Sequence, residues 1–191
     1  MTDTPQTYTG PISVTRTGKG FFTYDPEQDD IFIPDGYLGG AFPGDTVTVS
    51  VTGKERDPKS GKDRILGKVD SIVSRNRTSF VGKLVSGKEV GQNPADTYLW
   101  PDWKKMYTPI LVRGESLPLG QKVLVRLVGW NKDDLYPTGT LEEIIGPAGV
   151  HETEMRALAL GSGFRSDFPP GVVHEAEELE KTGRTKLQQE A

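Results

Sequence analysis

Three blocks of this sequence occur twice, in the same order and at nearly constant separation. Tyr8-Thr-Gly10 returns as Phe80-Val-Gly82, Gly44-Asp-Thr-Val-Thr-Val-Ser-Val51 as Gly120-Gln-Lys-Val-Leu-Val-Arg-Leu127, and Gly67-Lys-Val-Asp-Ser-Ile-Val73 as Gly139-Thr-Leu-Glu-Glu-Ile-Ile145, at offsets of 72, 76 and 72. Alternating runs recur by chance, so no single match carries much. The ordered set predicts a duplicated unit of roughly 70 residues, with loops absorbing the drift. Whatever this chain folds into, it must build the same small object twice.

The blocks also say what that object is made of. Thr46-Val-Thr-Val-Ser-Val-Thr52 alternates apolar and hydroxyl residues, the period of a strand with one buried face. Ile65 to Val73 is a second strand, and Glu55-Arg-Asp-Pro-Lys-Ser-Gly-Lys-Asp63 between them reads as a solvated hairpin loop, with Pro and Gly where a turn needs them. From Tyr8 to Gly146 the chain shows short β-type runs broken by Gly, Pro, Asn and Asp, without a useful helical period. Five short strands in a unit of roughly 70 residues suit a small closed barrel of the oligonucleotide-binding (OB) type better than an open sandwich. The expected fold is therefore mainly β. Two tandem five-stranded OB barrels, residues 8–75 and 76–147, follow a flexible start at residues 1–7 and precede a helical segment at 148–191.

In that last segment, His151-Glu-Thr-Glu-Met-Arg-Ala-Leu-Ala-Leu160 places Met155, Leu158 and Ala159 at helical spacing, with acidic residues in the first turn and Gly161 as a stop. A second helix is expected from about Pro169 to Val172, running through HEAEELEK. The polar ending reads as a connection to something further rather than as a domain boundary.

Composition narrows the functional classes. The chain has 191 residues, no Cys and a formal charge of −4. Disulfides, thiolate zinc sites and cysteine nucleophiles are excluded together, and a reducing, cytoplasmic location is the expectation. No apolar run approaches the ~20 residues that span a bilayer, so no membrane partner is expected. Residues 1–75 carry 9 Lys and Arg against 11 Asp and Glu, residues 76–147 carry 9 against 8, and residues 148–191 carry 5 against 8. Any polyanion site must then be a local patch, not a field of the whole molecule.

One such patch is legible. In Gly18-Lys-Gly-Phe-Phe-Thr-Tyr24 and Asp30-Ile-Phe-Ile-Pro34, alternation sends Ile31 and Ile33 into a core and turns Phe32 outward. Polar Thr23 favours Phe21 with Thr23 as the outward pair of the preceding strand. Phe21 and Phe32 then share one exposed face, with Lys19 and Arg16 at its rim. Rings so placed can stack nucleobases, each worth about 1–3 kcal/mol, while the cations meet phosphates. The competing reading is that both rings fill a core or a contact between the barrels.

At these residues a family becomes recognisable. G-K-G-F-F-T-Y with D-I-F-I-P resembles the two RNA-binding motifs of cold-shock domains, in the variant found at the front of ribonuclease II and ribonuclease R type exoribonucleases. Gly40-Ala-Phe-Pro-Gly-Asp-Thr-Val47 is similar to that family's lead into its fourth strand. Phe80-Val-Gly82, Tyr98-Leu-Trp-Pro-Asp102, Trp130 and Pro137-Thr-Gly-Thr-Leu-Glu-Glu-Ile-Ile-Gly146 resemble its second cold-shock domain. Glu154 to Leu160 and Phe168 to Glu178 resemble the connection into its catalytic domain. The resemblance implies a single-stranded RNA-binding front portion, a monomer, whose partners are RNA and a catalytic domain of the same parent polypeptide. It implies Mg²⁺ for that absent domain and no cofactor in this chain. Cold-shock motifs place an aromatic where this chain has Thr23, and often a His where it has Pro34, which implies a thinner stacking platform. In the second unit the resemblance adds Tyr98, and Trp100 and Trp103 with Lys104 and Lys105 beside them are local candidates, Trp being as often a core plug as a platform.

Catalysis finds no footing in the sequence. Asp29-Asp30 and Asp133-Asp134 lack supporting carboxylates at metal-ligand spacing and read as turn residues. His151 and His174 are the only histidines and have no nucleophile or metal partner in sequence. Gly18-Lys-Gly20 lacks the following helix that a phosphate loop requires. No catalytic or metal-binding residue is expected. The rival function is a standalone OB adaptor whose outer aromatics bury against a protein or nucleic acid, without a nuclease parent.

Overall fold

A computed structural model describes residues 6–58, 61–130 and 134–164. The expected second helix and His174 lie outside these residues, as does Asp133. The first repeat forms β1 (Thr7–Pro11), β2 (Ser13–Val14), β3 (Gly20–Phe22), β4 (Ile31–Ile33), β5 (Thr46–Arg56) and β6 (Asp63–Ser74). Their order in the sheet is β1-β5-β6-β4-β3-β2. The two edges are halves of one strand, interrupted only at Ile12, whose N–H leaves the ladder to donate to the Asp45 carbonyl at 2.9 Å. The sheet therefore curls until its edges meet through a single bent strand. The second repeat forms β7 (Ser79–Ser86), β8 (Thr97–Pro101), β9 (Ile110–Arg113), β10 (Gln121–Gly129) and β11 (Thr138–Pro147), closed as β10-β11-β9-β8-β7. In both units the third strand pairs in parallel with the last, through Phe32 with Leu66 and through Leu111 with Thr138. These are two tandem OB folds.

The duplication extends to the irregularities. The β5–β6 ladder slips at Thr46/Val47, Thr48/Val49 and Val51/Gly53, and the β10–β11 ladder slips at Lys122/Val123, Leu124/Val125 and Leu127/Gly129, each 76 residues on. Bulges raise local twist and bend, so repeated bulges give both sheets the same roll. Gly67 and Gly139 occupy equivalent tight crossings. A Cβ at Gly67 would lie 2.5 Å from Ile31, and one at Gly139 would lie 2.5 Å from Val125. Strand alternation supplies the cores: Phe22, Ile31, Ile33, Val47 and Val49 fill the first, and Leu84, Leu99, Ile110, Val123 and Val125 fill the second.

The barrels are joined by an aromatic plug. Phe42, from the loop before β5, is only 1% exposed and belongs to the core of the second barrel. Its ring lies 5.5 Å from Phe80, 5.6 Å from Trp130 and 6.5 Å from Tyr107. Fully buried Asp45 secures the crossing. It accepts from the Phe42 N–H at 2.9 Å, from Arg75 Nη1 at 2.8 Å and from the Asn76 N–H at 2.8 Å. Every donor is charged or held in backbone, which is how a buried carboxylate avoids an unmet desolvation cost. Tyr107 adds a hydroxyl donated to the Ala41 carbonyl at 2.9 Å.

Helix α1 (His151–Gly161) packs on β7, β10 and β11. It presents Thr153 and Ala157 to the sheet, against Val81 and Ile145, and leaves Met155 and Leu158 54% and 65% exposed. The expected apolar stripe of Met155, Leu158 and Ala159 is thus not the packed face. Small residues let the helix axis approach, and Glu154 reaches Lys122 at 3.3 Å on the inner side. Among the described residues no helix is long and apolar enough to cross a membrane.

Candidate nucleic-acid interface

Cross-strand register builds a continuous row on the outer face of the first barrel. Ser13 pairs with Phe21, Phe21 with Phe32, and Phe32 with Leu66, across β2, β3, β4 and β6. Ile31 and Ile33 point into the core on either side of Phe32. The two Phe rings lie 5.5 Å apart at 54°.

Phe32 faces outward but is only 5% exposed, because the Arg64 guanidinium lies 3.7 Å from its ring centroid. Arg64 stands two residues before Leu66 and so shares its face. Glu55, its β5 partner, accepts from Arg64 Nε at 2.7 Å and fixes the plane. The surface offered to solvent is therefore the half-buried Phe21 ring beside a guanidinium laid over Phe32. A guanidinium plane also stacks on bases, so the row keeps a stacking surface, with the Arg64 charge matched by Glu55. Arg64 escaped the sequence reading because its contact with Phe32 depends on a parallel pairing between strands far apart in the chain. The one available signal was its spacing from Leu66.

The remaining first-barrel candidates surround this row. Thr23 is exposed and donates its hydroxyl to Asp30 Oδ1 at 2.6 Å, so it serves the turn between β3 and β4. Lys19 is exposed in the turn between β2 and β3. Arg16 in the same turn lines a groove of about 890 Å³ between the barrels, with Tyr37, Lys68, Tyr107 and Trp130. Asp35, Asp70 and Asp134 line it too, so the groove is not a cationic channel.

In the second barrel Tyr98 was an expected contact, and the structure buries it to 3% exposure. Tyr136 covers it edge-on at 5.4 Å, with the Tyr136 hydroxyl accepting from Gln92 Nε2 at 2.8 Å. Trp100, two residues on and on the same face, is 56% exposed. Lys104 and Lys105 are exposed in the turn after β8. Trp103 and Trp130 are packing residues: Trp103 sits against Phe80 at 6.1 Å with Arg77 over it at 4.9 Å, and Trp130 stacks on Phe42.

No three carboxylate, histidine or cysteine side chains converge among the described residues. Asp30 is engaged by Thr23, and His151 is exposed at the start of α1. These residues do not fit a Mg²⁺ centre, which needs several oxygen ligands on one ion, and no hydrolytic step follows from them.

Comparison with known proteins agrees with this architecture. The sequence model of the ribonuclease B OB domain matches residues 10–69, and that of the cold shock domain matches residues 98–169. Ribonuclease R of Chlamydia pneumoniae is 27% identical over 168 residues, covering 84% of this chain and 24% of the relative. Ribonuclease R 1 of Lactococcus lactis is 25% identical over 174 residues, covering 88% and 21%. The chain thus spans about a quarter of the length of the curated relatives it matches. Mycoplasma genitalium RNase R, in its apo form and in complex with ribose methylated single-stranded RNA, shares the fold at a TM-score of 0.65 and 18% identity, over 90% of this chain and 27% of that one. Yeast Ssd1, a pseudonuclease, gives 0.65 at 18% identity over 84% and 25%. With two barrels of the right topology in the right order, this chain carries tandem OB domains of the ribonuclease II/R type.

Proposed function

We propose that this chain is the single-stranded RNA-binding portion of a 3′ to 5′ exoribonuclease, guiding RNA toward a catalytic domain elsewhere in the parent polypeptide. The carrying observation is the Ser13–Phe21–Phe32–Leu66 row with Arg64 laid over Phe32. A base stacks on Phe21 and a neighbour on the Arg64 plane, while Lys19 and Arg16 at the rim meet phosphates. Bases hidden inside a duplex offer no such face, so unpaired strands are preferred. Stacking is tolerant of base identity, and sequence preference is slight. The relative of known structure bound to single-stranded RNA supports this reading through its shared fold. Phosphodiester hydrolysis belongs to the parent's catalytic domain, where Mg²⁺ would supply charge neutralisation and an activated water. The chain acts as a monomer in the cytoplasm.

Fluorescence anisotropy with labelled oligouridylate and with a hairpin duplex tests this. The wild-type chain binds the single strand more tightly, with affinity falling steeply as salt rises. Phe21→Ala weakens binding by about 1–3 kcal/mol with an unchanged melting profile. Wild-type affinity in Phe21→Ala, or binding that ignores salt, sinks the proposal and favours a protein-binding adaptor.

A further inference from the structure

The three residues that join the barrels reach three different bodies. Arg75 Nη1 donates to the Gly40 carbonyl at 2.7 Å and to Asp45 at 2.8 Å, and the Asn76 N–H donates to the same carboxylate at 2.8 Å. Both partners belong to the loop before β5, in the first barrel. Arg77 reaches the other way. Its guanidinium lies 4.9 Å over Trp103, in the turn after β8, and its Nη1 donates to the Gly161 carbonyl at the end of α1 at 2.7 Å. No carboxylate among the described residues pairs with Arg77, so its charge is directed at the helix end and the indole face.

That helix depends on such ties. At 11 residues α1 is shorter than the about 12–15 that make an isolated helix even marginal in water, so contacts with the rest of the fold set its direction. Glu154 holds its start, on Lys122 and the Gly149 N–H, and Thr153 and Ala157 hold its middle. Its last turn carries no basic residue to meet the free carbonyls, and Arg77 supplies that charge from the linker. Packing does not wedge this end in place. A cavity of about 440 Å³, lined by Arg77, Ser79, Leu124, Leu160 and Ser162, lies beside it. Ring contacts continue back to the first barrel: Arg77 covers Trp103, Trp103 lies 6.1 Å from Phe80, and Phe80 lies 5.5 Å from Phe42.

We propose that Arg77 is a positioning residue, a strut that fixes the direction in which the chain leaves α1 and ties that direction to the joint between the barrels. The position of the first barrel is then felt where the chain departs. A route of contacts shows only neighbourhood, and non-additive effects of changes at its two ends are what show coupling. Amide hydrogen exchange on the full chain reads this at Ser162, Gly163 and Phe164, whose N–H groups cap α1 on the carbonyls of Leu158, Leu160 and Ala159. Arg77→Met, which keeps the stem and removes the charged donor, speeds exchange there about 10- to 100-fold, and Arg77→Lys retains most of the protection. Phe42→Leu, which shrinks the plug from the first barrel's side, speeds the same amides but adds little on top of Arg77→Met. Strand amides at Val49 and Val125 stay protected throughout; a variant that loses them has unfolded as a whole, and Arg77→Gln then replaces Arg77→Met. The chain has no Cys, so spin labels at Ser71→Cys and Phe164→Cys read the direction itself. Their single narrow distance gives way to a broad distribution in Arg77→Met. Wild-type exchange or a narrow distance in Arg77→Met overturns the strut, as does equal acceleration by Lys and Met at position 77. Additive effects of Phe42→Leu and Arg77→Met, or no effect of Phe42→Leu at the helix end, overturn the tie to the first barrel.

Discussion

Replacing Phe42 by Ala tests whether the two barrels are one cooperative body. Phe42 belongs in sequence to the first barrel, yet its ring is 1% exposed within a cluster of Phe80, Tyr107 and Trp130, with Arg75 at 4.9 Å over its face. Truncating a buried Phe removes its transfer free energy and leaves a cavity, costing about 3–5 kcal/mol. For a chain of this size each kcal/mol moves the midpoint by about 2–4 °C, so the first transition falls by roughly 6–20 °C. The first barrel's own core contains no part of Phe42. The loss therefore falls on the second barrel and on the coupling, and a single transition expected of the wild-type chain should separate into two in the variant. Differential scanning calorimetry reads both effects. One cooperative transition within about 2 °C of the wild-type midpoint would refute the plug.

Two predictions concern pH. The Glu154 carboxyl is held below the ordinary carboxylate range, first by the Gly149 N–H at 2.8 Å and then by Lys122. A depressed carboxylate contributes stability above its unfolded value and loses it as pH falls through its folded value. Glu154→Gln should flatten the acid limb of the stability curve, and an unchanged acid limb by urea titration counts against the Glu154 contact. Burial pushes the Tyr107 hydroxyl well above its ordinary value. Its contribution is complete below tyrosine's unfolded value near 10 and is lost as pH rises above it. Tyr107→Phe, which deletes the hydrogen bond to Ala41, should cost about 1 kcal/mol at neutral pH and little in strong alkali. An equal loss at both ends of the pH range contradicts this.

Local pattern was enough for the duplication and for the strand faces, with Ile31 and Ile33 turned inward. These depend on a period of two along each strand and on glycine at two crossings, both written locally in Val47, Val49, Val123, Val125, Gly67 and Gly139. It also placed Phe21 and Phe32 side by side, because alternation and one short turn suffice for that. Tertiary structure alone decided what covers each surface. Arg64 lies over Phe32 through a parallel pairing, Tyr136 seals Tyr98 from a distant loop, and Phe42 crosses into the neighbouring barrel. Helix α1 turns Thr153 and Ala157 inward rather than Met155 and Leu158, since close approach to the sheet outweighs apolar spacing. Exposure is a property of pairs of segments brought together by the fold, and no local pattern encodes it.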